Sequence, residues 1–353
     1  MGLGTRWNFL PMIDTSNEAT PMLTILGPSV KSVPSAVEKI LFACGMLSLA
    51  FFLTADLAAQ ELRVDLGSPA GTFRALHGLN KGPLSPGGLI DLTESIRDLR
   101  PPSIRLHDCH WPYPDVVDIH TIFPRFEADP RVPAHYDFAR TDAYLEAVRR
   151  TGADMVYRLG ESIEHDPTKK HVHPPKDADQ WAAIGLGIIR HYNEGWAGGH
   201  RWNIRYWEIW NEPENRPAMW TGTDEDYFRL YRATARAIKT RYPHLKVGGP
   251  AVGHSGDWKD GVFRPSAFVI RFLSFCREQS LPLDFFSWHG YTADPSEYSR
   301  KARALRRLLD DFGFTATESH LNEWNYLPNF FTGNWEGLAC STNTECPRPI
   351  TPP

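Results

Sequence analysis

The residues of this sequence best equipped for chemistry are two glutamates that close aromatic, apolar runs: Glu212 in WEIWNEPE, residues 207–214, and Glu323 in LNEWNY, residues 321–326. Read with the period of an extended strand, Trp207, Ile209 and Asn211 fall on one face and Glu208, Trp210 and Glu212 on the other. Polar groups end the other apolar runs in the same way. They are His77 and Asn80 on the first, Arg105, His107 and Asp108 on the second, and His289 and Tyr291 on the sixth. One glutamate at a strand end is ordinary, a surface carboxylate or a cap for the next segment. Two of them, with Arg, His, Asn and Tyr alongside, are the groups needed to protonate a leaving oxygen and attack the carbon of an acetal.

The elements that must position these groups alternate along the chain. Strand candidates are TFRALHGLN, SIRLHD, DMVYRL, IRYWEIW, LKVGGPAV, LDFFSWHGY and TATESHLNEWNY. Between them run amphipathic stretches such as TDAYLEAVRRTG, ADQWAAIGLGIIRHYNEG and SEYSRKARALRRLLDDFG, and Asp224 is a candidate cap for DEDYFRLYRATARAIKTRY. Parallel strands joined by crossover helices give this pattern. Without a glycine-rich phosphate loop after the first strand, the order points to a (β/α)8 TIM barrel, an α/β fold whose chemistry sits at the C-terminal strand ends. Seven strands are legible. After Pro328 only NFFTGNWEGLACSTNTECPRPITPP follows, without an amphipathic helix or a convincing strand. The barrel, residues 60–328, is therefore expected to lack its eighth strand and helix and to open beside Glu323, followed by an irregular tail at 329–353. A fragment or frameshifted tail, closure by a partner chain, and a true seven-stranded variant would each produce this.

With 353 residues, 42% hydrophobic content and a formal charge of −4, the composition suits a globular protein and carries no basic excess for nucleic acid. Residues 1–38 are rich in Pro, Ser and Thr and lack periodicity, as a disordered or mis-started N-terminus would be. Residues 39–59 read as a signal peptide: Lys39, the apolar run ILFACGMLSLAFFL, then small residues to Ala59. An uncleaved membrane anchor is the alternative, since about 20 apolar residues span a bilayer, and either reading exports the protein. The cysteines, Cys109, Cys276, Cys340 and Cys346 beyond the leader, have no metal-ligand spacing, although Cys340 and Cys346 could pair. HVH at 171–173 lacks a third ligand nearby, and HDCH at 107–110 alternates direction along a strand, so both are read as cleft lining. No metal or cofactor is expected.

WNEPE, SWHGY and LNEWNY, with RLHD and SWHGYTADPSEY as context, resemble the motifs of retaining glycoside hydrolases of clan A, and of family 39 in particular, the β-xylosidase and α-L-iduronidase family. The resemblance covers roughly residues 73–328. It implies that Glu212 is the general acid and then the general base, and that Glu323 is the nucleophile. A partly apolar setting from Trp207 and Trp210 would keep the Glu212 pKa high. Arg105 and Tyr291 would donate to Glu323, Asn211 would bind the hydroxyl beside the anomeric carbon, and His107, His289, His77 and Trp324 would contact the sugar. The carboxylates should stand about 5–5.5 Å apart. Iduronidase-like members carry lysine where this chain has Tyr291, so a neutral sugar such as xylose is expected, unless Lys169 or Lys170 supplies the cation. The implied partner is an oligo- or polysaccharide. Arabinofuranosides, glucans and uronic-acid polymers are alternative substrates, and an inactive barrel holding sugar through Trp207, Trp210, Trp288 and Trp324 is the alternative from the binding class.

Overall fold

The computed structural model describes residues 67, 71, 75–85, 89–109 and 115–326. The chain divides into Met1–Gly71 and Thr72–Pro353, and everything described below belongs to the second unit. The expected leader at 39–59, the segment before it, the tail at 329–353, Cys340 and Cys346 lie outside the described residues.

Seven strands form one parallel sheet in sequential order: β1 (Leu79–Asn80), β2 (Ser103–Leu106), β3 (Asp154–Leu159), β4 (Tyr206–Ile209), β5 (Lys246–Val252), β8 (Phe285–Thr292) and β9 (Glu318–Tyr326). A hairpin of β6 (Gly256–Lys259) and β7 (Val262–Pro265) interrupts the series. It was not anticipated, although Asp260-Gly261 between its strands is a hairpin turn signal, and both residues have positive φ, 51° and 73°. Helices alternate with the barrel strands: α1 (Thr93–Leu99), the short α2 (Ile119–Ile122), α3 (Ala139–Arg150), α4 (Ala178–Glu194), α5 (Asp224–Arg241), α6 (Ala267–Glu278) and α7 (Pro295–Asp311). This is a nearly closed barrel of TIM type. Among the described residues β1 pairs only with β2 and β9 only with β8, which leaves the seam where seven strands would put it. Asn80 bridges it, donating to Glu323 Oε2 at 3.4 Å.

The local rules that shape the helices are plain. Asp177 caps α4 by accepting from the amides of Asp179 and Gln180, and Gly195, at φ 77°, ends it in the left-handed conformation. Thr223, not Asp224, caps α5, in a reciprocal box with Asp226. Asp224 sits one residue inside the helix, where its carboxylate pairs with Arg216 and Arg271. No described helix is long and apolar enough to cross a membrane.

Two layers of different character result. Outward-facing strand residues pack against the helices in an apolar shell: Trp207 stacks on Tyr157 at 4.9 Å, and Phe272 of α6 meets Tyr231 of α5. Each such ring buried contributes about 2–3 kcal/mol. The inward face is polar. Arg105 is 2% exposed and Glu208 and Arg158 not at all, so the barrel interior is held by paired charges.

Candidate active site

Simple alternation would send Asn211 and Glu212 to opposite faces of β4, yet both face the mouth. The strand ends at Ile209, and the next residues turn through left-handed backbone, with φ 70° at Trp210 and 43° at Glu212. Left-handed conformations cost a side-chain-bearing residue about 1–3 kcal/mol, so neighbouring strands must enforce them. They do: the Trp210 amide donates to Leu159 O on β3 at 2.8 Å, and the Glu212 amide to Ala251 O on β5 at 3.0 Å. Trp210 is thereby carried off the inner face, and its indole donates to Met219 O at 2.8 Å.

The second Asn-Glu pair uses a different device. Trp288 lies opposite Leu321, but His289 lies opposite Glu323, a register shift that passes over Asn322. This bulge lets Asn322 and Glu323 both point inward. Asn322 donates to Glu208 Oε1 at 2.6 Å. Glu323 reaches the mouth beside Tyr291, which donates to its Oε1.

The two chemistry-bearing carboxylates consequently meet. One oxygen each of Glu212 and Glu323 and one nitrogen of His289 lie within 4.8 Å of one another. His289 Nδ1 donates to Glu212 Oε1 at 2.6 Å, and its Nε2 stands 3.7 Å from Glu323 Oε2. Arg105 braces the set from below: Nε donates to Glu208 Oε2 (2.7 Å), Nη1 to Glu323 Oε2 (3.2 Å) and Nη2 to Asn211 Oδ1 (2.6 Å). Glu212 Oε2 accepts from Asn215 at 2.9 Å.

Charge states follow. Burial pushes the Glu212 carboxyl up, but the His289 and Asn215 hydrogen bonds with the His289 and Arg105 charges outweigh it and hold the carboxyl below its ordinary range. The expected net elevation is overturned: burial does push Glu212 up, but the donors and charges around it prevail. Burial lowers His289, yet Glu323 and Glu212 more than restore it, and it is held above an ordinary imidazole. The Tyr291 phenol is pushed up by burial and by Glu323, so it remains a donor. His107 is driven well below its usual value by burial, then by Arg105, Arg158 and His289. It stays neutral, with Nε2 3.3 Å from Asp108 Oδ1.

The sequence profile of glycosyl hydrolases family 39 matches residues 104–311, more than half of the chain. The chain belongs to family 39. Over 234 residues it is 29% identical to a β-xylosidase of Geobacillus stearothermophilus, covering 58% of this chain and 44% of that protein. Over 175 residues it is 33% identical to a β-xylosidase of Caldicellulosiruptor saccharolyticus, covering 46% and 33%. Among solved structures, a glucosidase from Croceicoccus marinus matches with 30% identity and a TM-score of 0.64, covering 74% of this chain and 53% of that one. The chain thus spans less than half the length of the curated relatives it matches.

In this family 39 chain the remaining expected site residues part ways. Arg105, His289 and Tyr291 contact the two glutamates, Asn211 is held to Arg105, and His107 is buried beside Asp108 at the end of β2. His77 does not: it precedes the shortened β1, is exposed, and lies 3.0 Å from the carbonyl of Arg100 at the end of α1, away from the strand ends. Trp324 also fails to reach the mouth. It follows inward-facing Glu323, so its ring turns outward and packs edge-on against Tyr298 of α7. Trp207, Trp210 and Trp288 cannot hold sugar, because each is buried with its indole N–H spent on Ile204 O, Met219 O and Ser319 Oγ. Lys169 is tied to the carbonyls of Glu164 and Asp166 in its own loop.

Of the expected cleft-lining clusters, HVH does not converge on a shared target, and His110 of HDCH lies outside the described residues. His171 stacks on His120 at 3.6 Å, while His173 turns to Thr221 and Lys169. Asp118, His120 and Glu161 bring ligand-type atoms within 4.8 Å of one another, as do Asp142, His191 and His200. In the first set Asp118 is already taken by Arg158 and Ser162, and His120 by Glu161. Cys109 and Cys276 are free and buried. Two contributors went unnoticed in the sequence. Glu208 anchors Arg105 from beneath and is itself held by Asn322, both inside the quoted motifs, and only their strand period hinted at it.

Proposed function

We propose that this protein is a retaining glycoside hydrolase of β-xylosides. The observation that carries the reading is the approach of Glu212 and Glu323 to within 4.8 Å, bridged by His289. Oxygens that close suit the carboxyl pairing of a retaining mechanism, about 5–5.5 Å, better than the wider pairing of an inverting one, about 6.5–9.5 Å. Glu323 attacks the anomeric carbon as the glycosidic bond breaks, and the leaving oxygen takes a proton from Glu212. Water then attacks the same carbon, gives its proton to Glu212, and releases Glu323. Arg105 and Tyr291, both donors to Glu323, hold its carboxylate in place for attack and receive it again as it leaves. The 2.6 Å bond from His289 supplies the route by which Glu212 is charged with its proton. Tyr291 in place of a cation supports a neutral sugar, and so do the β-xylosidase relatives. The 30%-identical glucosidase supports glucosides as a second substrate class. The leader-like composition of residues 39–59 supports export.

Aryl xylosides and aryl glucosides test the reading directly. Glu323→Ala should abolish turnover and Glu212→Ala should slow deglycosylation. Azide should rescue each, yielding glycosyl azides of opposite anomeric configuration. Full activity in either variant removes the assignment, and a kcat/KM higher on glucosides transfers it to the second substrate.

A further inference from the structure

A third carboxyl, Glu214, stands at this site without a part in the steps above. Its Oε1 accepts from the amides of Gly253 (2.6 Å) and His254 (3.0 Å), just beyond β5. Its Oε2 is closed off from solvent and has no hydrogen-bond partner among the described residues. The segment it grips is the one on which Glu212 rests: a Cβ on Gly253 would lie 2.5 Å from Glu212 Oε1 and 2.8 Å from its Cδ. Two carboxyls of one motif are thus built around a single glycine, one bonded to its amide and the other packed on its Cα.

We propose that Glu214 is a positioning residue that anchors Gly253 beneath Glu212 and, through its own charge, governs how firmly Glu212 keeps its proton. The inference rests on the acid/base role given to Glu212. The groups facing Glu214 are Glu212 beside it, His289 from β8, the Tyr227 phenol of α5, and His254, whose ring is turned to Asp257. Burial and then the Glu212 charge push the Glu214 carboxyl up to about 7 against the pull of the two amides. Below neutrality Glu214 is uncharged. Above it, a second negative charge appears beside Glu212 and strengthens the hold of Glu212 on its proton. A lone buried oxygen is costly as an anion, which is why the charge appears only there.

Glu214→Gln keeps an acceptor for both amides and cannot ionise. The ratio of variant to wild-type kcat/KM on phenyl xyloside should fall about tenfold between pH 5.5 and pH 8. On a dinitrophenyl xyloside, whose leaving group needs no proton, the ratio should stay level, whereas a merely structural defect would depress both substrates alike. A reading independent of turnover comes from infrared titration. The wild-type chain should show a protonated carboxyl that disappears near neutral pH, is missing from Glu214→Gln, and titrates at lower pH in Glu212→Gln, where the neighbouring charge is gone. A flat ratio on both substrates, or no such carboxyl, overturns the proposal. If that happens while Glu212→Ala still shows azide rescue, only this inference falls, and if Glu212→Ala is fully active the reading beneath it falls first.

Discussion

Glu208→Leu isolates what the buried charge network does. In the native protein Glu208 is fully buried and binds Arg105 Nε at 2.7 Å and Asn322 at 2.6 Å. Breaking one side of a buried pair costs about 3–5 kcal/mol, because the other charge stays desolvated. Arg105 keeps its 3.2 Å contact with Glu323, so the lower end, about 3 kcal/mol, is expected. For a domain of this size that lowers Tm by about 6–12 °C, measurable by calorimetry. Arg105, released at Nε, should also lose its aim at Asn211, and kcat should fall by about a hundredfold, a positioning effect. Adding Arg105→Met removes the stranded charge. The double variant should therefore melt above Glu208→Leu while remaining inactive, because stability needs only the absence of unpaired charge and chemistry needs the guanidinium. A loss under about 1 kcal/mol in the single variant, or a double variant less stable than either single one, would refute the reasoning.

Gly253→Ala should cut kcat more than tenfold on phenyl xyloside, since the new Cβ would meet the Glu212 carboxyl at 2.5 Å. Tyr291→Phe removes the phenol that donates to Glu323 and should lower kcat by about ten- to a hundredfold, with KM changed far less, in steady-state assays. His77→Ala and Trp324→Ala should leave kcat/KM within about twofold, because their side chains serve the Arg100 carbonyl and Tyr298. A large loss in either would return that residue to the sugar site.

Much of the architecture could be read from period and type. Runs of buried residues such as 155–159 have no other stable place than a sheet covered on both faces, and the helical runs between them leave a parallel barrel as the economical solution. The same reading marked Glu212 and Glu323 as strand-end carboxylates. It failed where side chains of equal type have different uses: Trp207, Trp210 and Trp288, offered to a sugar in the binding-class alternative, are sealed in the fold, and Trp324, expected at the sugar, turns outward onto Tyr298.

The sequence by itself determined the order of the barrel strands and which strand ends carry acid, base and guanidinium groups, because hydrophobic period and residue type are local properties. Which way those groups face was decided only by the tertiary structure. Asn211 and Glu212 look inward together because Leu159 and Ala251, on two other strands, accept their segment's amides. Asn322 and Glu323 do so because β8 imposes a bulge on β9. The pKa values of Glu212, His289 and Glu214 likewise arise from charges and buried surfaces contributed by distant segments. No local pattern can encode a partner that exists only once the barrel has formed.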